Sequence, residues 1–333
     1  MLNNENLTIS VIIPVYNASS TLVHCLESLF SQTYRKLELL FVDDCSTDGS
    51  LNILNAYSEQ YSDTGPIVKI LRHEQNRGVA AARNTALAYA TGDYIYYVDA
   101  DDYIEQDTLQ CLVKKAMKED LDIVGHEWYL TFDSSERYMK QADYTTPVEA
   151  LQNMMCGVMR WNLWLFMVRR SLYVENGIQF IGGMNMGEDM MVMMKLFICA
   201  KTVSIIHHPF YHYEQSNASS LTKIYSQEHI KQVTSNVYEV ERYLATSVYA
   251  SLLFQYISFL KLNIKLPLLI TDQKSRYFQW LEWFPEANEY VMRNKQLPFR
   301  TRLIQWLAVK RCFILLRWYY RIVFRVVYGI IYK

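Results

Sequence analysis

The sequence predicts an α/β protein: a sheet with helices on both faces, followed by a helical C-terminal region. Three observations lead there. Continuous apolar runs alternate with helical runs through the first hundred residues, polar clusters stand at the ends of those apolar runs, and 51% of the 333 residues are hydrophobic, enough for a sizeable core.

The first apolar run, Thr8-Ile-Ser-Val-Ile-Ile-Pro-Val-Tyr-Asn17, fits a strand buried on both faces. Pro14 ends its ladder, and Asn17-Ala-Ser-Ser20 offers capping residues for a helix near Thr21–Ser31. A second run from Leu37 ends in Val42-Asp-Asp-Cys-Ser-Thr-Asp-Gly49 and leads into a helix near Ser50–Tyr61. Then His73-Glu-Gln-Asn-Arg-Gly78 opens into an alanine-rich helix near Val79–Ala90, with Arg77 and Arg83 close by. The next strand ends abruptly in acids, at Tyr97-Val-Asp-Ala-Asp-Asp102. In a doubly wound sheet, ligands bind beyond the carboxyl ends of the strands, where all these polar signals fall.

Three carboxylates at a buried strand end must be neutralised. A divalent cation supplies the charge, and hard oxygen ligands suit Mg²⁺ or Mn²⁺. A solvated acidic turn capping a helix at Gln106–Glu119 is the simpler explanation of an isolated D-x-D. Here the D-x-D is one signal of several. Neither a P-loop (G-x-x-x-x-G-K-[ST]) nor a dinucleotide G-x-G-x-x-G follows a strand.

Further along, a strand over Asp122–Leu130, a polar loop or lid over Asp133–Thr146, and an apolar strand at Trp161–Arg169 are expected. Gly182-Gly-Met-Asn-Met-Gly-Glu-Asp189 leads into a helical run, Met190–Ile198, whose N-terminus favours ionised Glu188 and Asp189. A capping acid pair is the plain alternative. Residues 221–333 read as helical, with Pro267 and Pro298 as breaks.

On Val11-Ile-Ile-Pro-Val-Tyr-Asn17, Val42–Gly49, Asn76-Arg-Gly78 with Arg83-Asn84, Asp99-Ala-Asp101 and Gly187-Glu-Asp189, the chain resembles glycosyltransferase family 2 over about residues 7 to 220. The resemblance implies a GT-A fold of residues 1–220, with a nucleotide-binding half (1–105) and an acceptor half (106–220). It implies an inverting, non-processive transfer of one sugar from a nucleotide-diphosphate donor, UDP in particular, to a glycan or lipid-linked glycan in bacterial surface-polysaccharide synthesis. Asp189, beside Glu188, is then the catalytic base. Pro14, Val15, Tyr16, Asp44, Asn76, Arg83, Asp99 and Asp101 are nucleotide contacts, with Asp44 accepting from a uracil N–H. Asp101, Asp102 and His212 are metal-ligand candidates, for Mn²⁺ or Mg²⁺; which of Asp99, Asp101 and Asp102 ligates stays open. Arg83 serves equally well as a brace for the acidic loop, and Tyr16 as a strand-end core aromatic. Where the family often has an arginine this chain has Glu214, which puts the phosphate clamp in doubt.

Trp161 and Trp164 are acceptor-stacking candidates or core residues. Met184, Met186, Met190, Met191, Met193 and Met194 read as packing under the site. Processive synthases carry Q-x-x-R-W; before Arg160-Trp161 and Arg317-Trp318 stand Gly157 and Ile314 instead of Gln. Alternatives are a sugar nucleotidyltransferase, which needs a glycine-rich basic loop where Pro14–Asn17 stands, and an inactive transferase-like membrane scaffold, although the aspartates are all present.

Six cysteines without a C-x-x-C pairing and an N-terminus without signal-peptide character suggest a cytoplasmic setting. The sequons at Asn6, Asn17 and Asn217 are then chance matches. After Glu289 the chain has ten Lys or Arg and no acid, against 23 basic and 34 acidic residues before. From Thr301, Lys310, Arg311, Arg317, Arg321 and Arg325 share a third of a helix that is otherwise apolar and aromatic. That composition predicts an interfacial helix on an anionic membrane surface, placing the protein peripherally at the inner face of the cell membrane. No run of about 18 apolar residues there escapes an arginine, which weighs against a membrane span. A helix packed on the domain is the alternative, and no nucleic-acid motif supports a nucleic-acid partner.

Overall fold

The computed structural model describes residues 7–63, 65–215 and 226–327, with side chains to residue 323. Asn6, Asn217 and the Arg325 side chain lie outside the described residues. The chain divides into two compact units: residues 1–150 with 161–243, and residues 151–160 with 244–333.

In the first unit the expected alternation is β1 (Ile9–Val15), α1 (Leu22–Phe30), β2 (Leu37–Asp43), α2 (Ser50–Gln60), β3 (Ile67–Arg72), α3 (Val79–Tyr89) and β4 (Tyr94–Tyr97). β1 pairs in parallel with both β2 and β4, and β2 with β3. The unbroken apolar runs are explained by position: β2 is buried along its whole length and β1 at six of seven residues. Glu38 in the middle of β2 is tolerated because Ser10, Lys69 and Thr91 all donate to its carboxylate.

The second half of the unit adds β5 (Tyr103–Ile104), α4 (Thr108–Glu119), β6 (Ile123–Phe132), β7 (Ser135–Met139), α5 (Pro147–Cys156), β8 (Phe166–Arg169), α6 (Arg170–Glu175), α7 (Glu188–Cys199), β9 (Val203–Glu214) and α8 (Gln227–Ala245). From Leu151, α5 belongs to the second unit. The sheet order is β3-β2-β1-β4-β8-β6-β9-β5, with β7 on β6. β8 runs antiparallel to both neighbours, so the sheet is mixed rather than wholly parallel. Two expectations change in detail. The polar stretch after Asp133 includes a hairpin strand, β7, and the expected strand from Trp161 begins with a 3-10 turn at Leu163–Leu165. Helix α8 belongs to this unit because Glu239 pairs with Lys195 of α7 and Asn236 donates to the Met186 carbonyl.

The second unit is helical: α9 (Ala250–Leu253), α10 (Ile257–Lys265), α11 (Lys274–Glu282), α12 (Phe299–Val309) and α13 (Phe313–Tyr319), with a π-helical stretch at Tyr320–Val327. Tyr277 and Trp280 are fully buried, and Lys265 donates to the Trp283 and Phe284 carbonyls and Asn288. Burial pushes the Lys265 ammonium down to about 7. Ala250–Leu269, a continuous run of α and 3-10 turns, is long and apolar enough to cross a bilayer by composition, and 44% of its most apolar window is buried in the protein.

The C-terminal helix expected from Thr301 is interrupted. α12 stops at Val309, Arg311 adopts a left-handed φ of 54°, and Cys312 N–H closes back on the Leu307 carbonyl before α13 restarts. Lys310 and Arg311 therefore do not share one helical face with Arg317 and Arg321, and the single five-cation stripe does not form.

Candidate active site

The site is built on the carboxyl ends of β1, β2 and β4. Val15 is buried, so only its backbone, which accepts from Asp44 N–H, is available beside the half-buried Pro14 and the half-exposed Tyr16. Asn17 takes a left-handed φ and its side chain accepts from Thr47 N–H, so it organises the turn. Asp43 and Asp48 likewise accept from backbone N–H groups of Ser46 and of Ser19 and Ser50.

Asp44 is 3% exposed, and its carboxylate already accepts from His73 Nδ1 at 2.6 Å, Arg77 N–H at 2.9 Å and Gly78 N–H at 2.7 Å. It therefore holds the loop that presents Asn76, which is exposed, and starts α3. Gly78 is required there: its φ is +84°, and a Cβ would meet the Asn185 side chain at 2.2 Å. Asn185 in turn accepts from Ala80 N–H at the start of α3.

Arg83, on α3, is the hub. One amino group, Nη1, donates to Glu188 at 2.8 Å and Asp189 at 2.7 Å, and Nη2 reaches Asp99 at 3.2 Å. The guanidinium is 4% exposed side chain and lies against the Tyr97 and Phe180 rings. A single cation thus ties the acidic end of β4, 16 residues on from it, to the Glu188-Asp189 pair at the N-terminus of α7, 105 and 106 residues on. Its charge survives burial because three carboxylates surround it. They in turn are strained by one another. Burial and the adjacent Asp189 push Glu188 up to about 8 against the pull of Arg83. Burial pushes Asp99 up to about 6, with Arg83 opposing and Asp101 and Asp189 adding.

Asp189 Oδ1 faces Arg83 and Oδ2 accepts a long 3.3 Å bond from Leu163 N–H. Gly187, with φ +76°, turns the chain into α7 so that both acids lie in its first turn. Beneath them Met190, Met191, Met193 and Met194 are buried, while Met184 and Met186 are half-buried.

Three candidates are repositioned. Both ring nitrogens of His212 face carboxylates, Nδ1 Glu136 at 2.8 Å and Nε2 Glu105 at 2.9 Å, while its ring stacks on Tyr103 and Tyr129. Asp102 is 1% exposed, and its two oxygens accept from Tyr211 O–H and Glu214 N–H; burial, then Asp101 and Asp99, raise its pKa well above the carboxylate range. Trp164 is 3% exposed with its face covered by Tyr211 at 4.2 Å, so it cannot stack on a sugar. Trp161 is half-exposed. Asp99 and Asp101 remain at the strand end, both partly exposed.

Sequence reasoning missed Tyr211, which fixes Asp102 and accepts from Asp99 N–H, and gave no role to Asn84, which clamps both backbone groups of Phe180. Asn84 follows Arg83 directly and was legible as part of its motif; Tyr211 carried no signal beyond lying in an aromatic run.

The family described as glycosyl transferase family 2 matches residues 10–197. The uncharacterized glycosyltransferase YibD of Escherichia coli K12 is 35% identical over 196 residues, 56% of this chain and 55% of that protein. The poly(ribitol-phosphate) beta-glucosyltransferase of Bacillus spizizenii is 27% identical over 310 residues, 87% of this chain and 48% of the relative. The chain thus spans about half the length of these relatives. Among solved structures, residues 1–349 of Staphylococcus aureus TarS in complex with UDP-GlcNAc superpose with a TM-score of 0.71 at 20% identity, covering 95% of this chain and 92% of that one, a likeness of fold. The fold is the expected GT-A type with a helical C-terminal region, and the chain belongs to glycosyl transferase family 2.

Proposed function

We propose that this chain is a non-processive, inverting glycosyltransferase that moves one sugar from a nucleotide-diphosphate donor, UDP first, to a hydroxyl of a glycan acceptor, lipid-linked and destined for a surface polysaccharide. The observation that carries the reading is the Arg83 hub: it holds Asp99 of the D-x-D end and the base candidate Asp189 on one guanidinium. Donor and acceptor chemistry then meet in one place. The TarS complex contains UDP-GlcNAc, and the Bacillus relative is named for transfer to poly(ribitol-phosphate); both agree with this substrate class.

In this reading Pro14, Val15, Tyr16 and the Asn76 loop receive the nucleotide, and Asp44 keeps that loop in place through its bonds to His73, Arg77 and Gly78. Asp99 faces the ribose and Asp101 the diphosphate. The described residues include no group of three or more His, Cys, Asp or Glu that could cage a metal. A surplus of carboxylates around one arginine nevertheless fits Mg²⁺ or Mn²⁺ held by one or two carboxylates together with substrate phosphates. Asp101 and Asp99 would hold it, and it would neutralise the departing diphosphate.

Asp189 Oδ2, whose protein bond is the weaker one, takes the proton of the acceptor hydroxyl. The freed oxygen pair forms the bond to the anomeric carbon, while the carbon–oxygen bond to the diphosphate breaks and the diphosphate leaves with its electrons. Attack opposite the leaving group inverts the centre, so an α-linked donor gives a β-linked product. Glu188, which burial and the neighbouring Asp189 push up to about 8, stays largely protonated near neutrality. Trp161 lies on the acceptor side. The protein works peripherally at the cytoplasmic face of the membrane.

A screen of nucleotide sugars with Mn²⁺ or Mg²⁺, reading nucleotide release, tests the class. Release from a UDP-sugar supports it; no binding or turnover of any nucleotide sugar overturns it.

A further inference from the structure

The second unit carries a surface that catalysis does not use. On α13, Phe313 and Leu316 are buried, Phe313 packing on the Tyr277 and Phe278 rings. The opposite side is apolar and open to solvent. Ile314 is 73% exposed, Leu315 55%, Trp318 60%, and Ile322 one turn on 53%. Single exposed hydrophobes are ordinary, but four on adjacent turns of one helix form a patch.

Two guanidiniums stand within that patch. Ile314, Arg317, Trp318 and Arg321 together line a shallow cavity of about 120 Å³. Arg317 and Arg321 are one turn apart, so their side chains rise side by side, and both are exposed. One carboxylate lies in the same neighbourhood, Asp272, which pushes the Tyr277 hydroxyl up where Arg317 and Arg321 pull it down. The wider charge is one-sided: ten basic and no acidic residues follow Glu289. An apolar face studded with arginines fits a surface that is anionic outside and hydrocarbon within.

We propose that Arg317 and Arg321 form a headgroup site that grips the phosphodiester of an anionic phospholipid, while Ile314, Leu315, Trp318 and Ile322 enter the acyl boundary. This gives the peripheral membrane location in the functional reading a defined site, and rests on that location but not on the transferase chemistry. The interruption at Arg311 matters here. The docking element is the short α13 and its continuation, not a long stripe from Lys310.

The test uses the full chain with vesicles of phosphatidylcholine alone or with 30% phosphatidylglycerol. Only the anionic vesicles should bind at 50 mM salt, with a blue shift in tryptophan emission that W318F removes. The double variant R317Q/R321Q keeps the apolar face. It should bind roughly 25-fold more weakly, about fivefold per arginine from the ~1 kcal/mol that each basic residue contributes near such a surface. Both sites are exposed, so its melting curve should be unchanged, and donor titrations without vesicles should match those of the unaltered chain. Binding that ignores phosphatidylglycerol, or survives R317Q/R321Q undiminished, overturns the proposal. Equal retention on duplex DNA, or dimers that W318A abolishes, would do so too by assigning the face to nucleic acid or to a second copy. Donor binding lost while vesicle binding persists would sink the transferase reading and leave this one standing.

Discussion

Arg83→Met removes the guanidinium while keeping an unbranched side chain between Tyr97 and Phe180. Asp99, Glu188 and Asp189 are then left around a buried space without their cation. Breaking a buried ion pair from one side costs about 3–5 kcal/mol, because the orphaned charge stays desolvated. Here the carboxyls have an escape, which is to take up protons, and that makes the loss depend on pH. A carboxyl whose folded pKa is raised binds its proton more tightly in the folded state. Its contribution is therefore complete below the unfolded pKa and disappears as pH rises through the folded one. For Asp99 at about 6 and Glu188 at about 8 the window runs from roughly pH 4 to 8. Arg83 lowers both, so its removal raises them further and steepens the decline. Urea unfolding in metal-free buffer should show R83M losing about 3–5 kcal/mol at pH 8 and clearly less at pH 5.5. A loss below about 1 kcal/mol, or one equal at both pH values, would refute the idea that one cation balances this cluster.

Other substitutions separate the roles assigned above. His212→Phe keeps the ring stack but removes both nitrogens, so Mn²⁺ affinity measured with UDP present should stay within about twofold; a metal ligand would show a drop of about 10-fold or more. Trp164→Ala should cost about 3–5 kcal/mol in unfolding experiments, as a buried aromatic, and should also weaken donor binding by loosening Tyr211 under the D-x-D loop. Trp161→Ala should change stability by about 0.5 kcal/mol or less and raise KM for the acceptor alone; a rise in donor KM instead would remove it from the acceptor side.

The strands ending in polar clusters were readable because burial on both faces leaves an unbroken apolar run, as in β1 and β2, and because turn and capping residues mark where each run stops. Placing Glu188-Asp189 at a helix N-terminus was readable for the same reason, from the glycines before it. What local pattern could not convey was partnership at long range. That His212 meets Glu105 and Tyr103 through the β5–β9 pairing, and Glu136 from β7, could not be read from its position in the sequence. Asp102 and Asp101 are neighbours in sequence, but only Asp102 turns inward to Tyr211. Arg83 could be named as a brace or a contact; that it spans three carboxylates from two distant segments follows from α3 packing on β1 and β2, which sets its side chain where the end of β4 and the start of α7 meet. In the tail, composition revealed the charge asymmetry, while the left-handed turn at Arg311 breaks the periodicity on which the long stripe depended.

The most direct measurement pairs calorimetric donor titration with turnover for Asp189→Asn and Asp101→Asn. Asparagine at 189 keeps the shape and cannot take the proton, so donor affinity should hold while turnover falls about 10²- to 10⁴-fold. Asp101→Asn should weaken metal-dependent donor binding itself. If both variants lose donor affinity equally, or if Asp189→Asn still transfers sugar at the original rate, the assignment of base and donor sites on either side of Arg83 is contradicted.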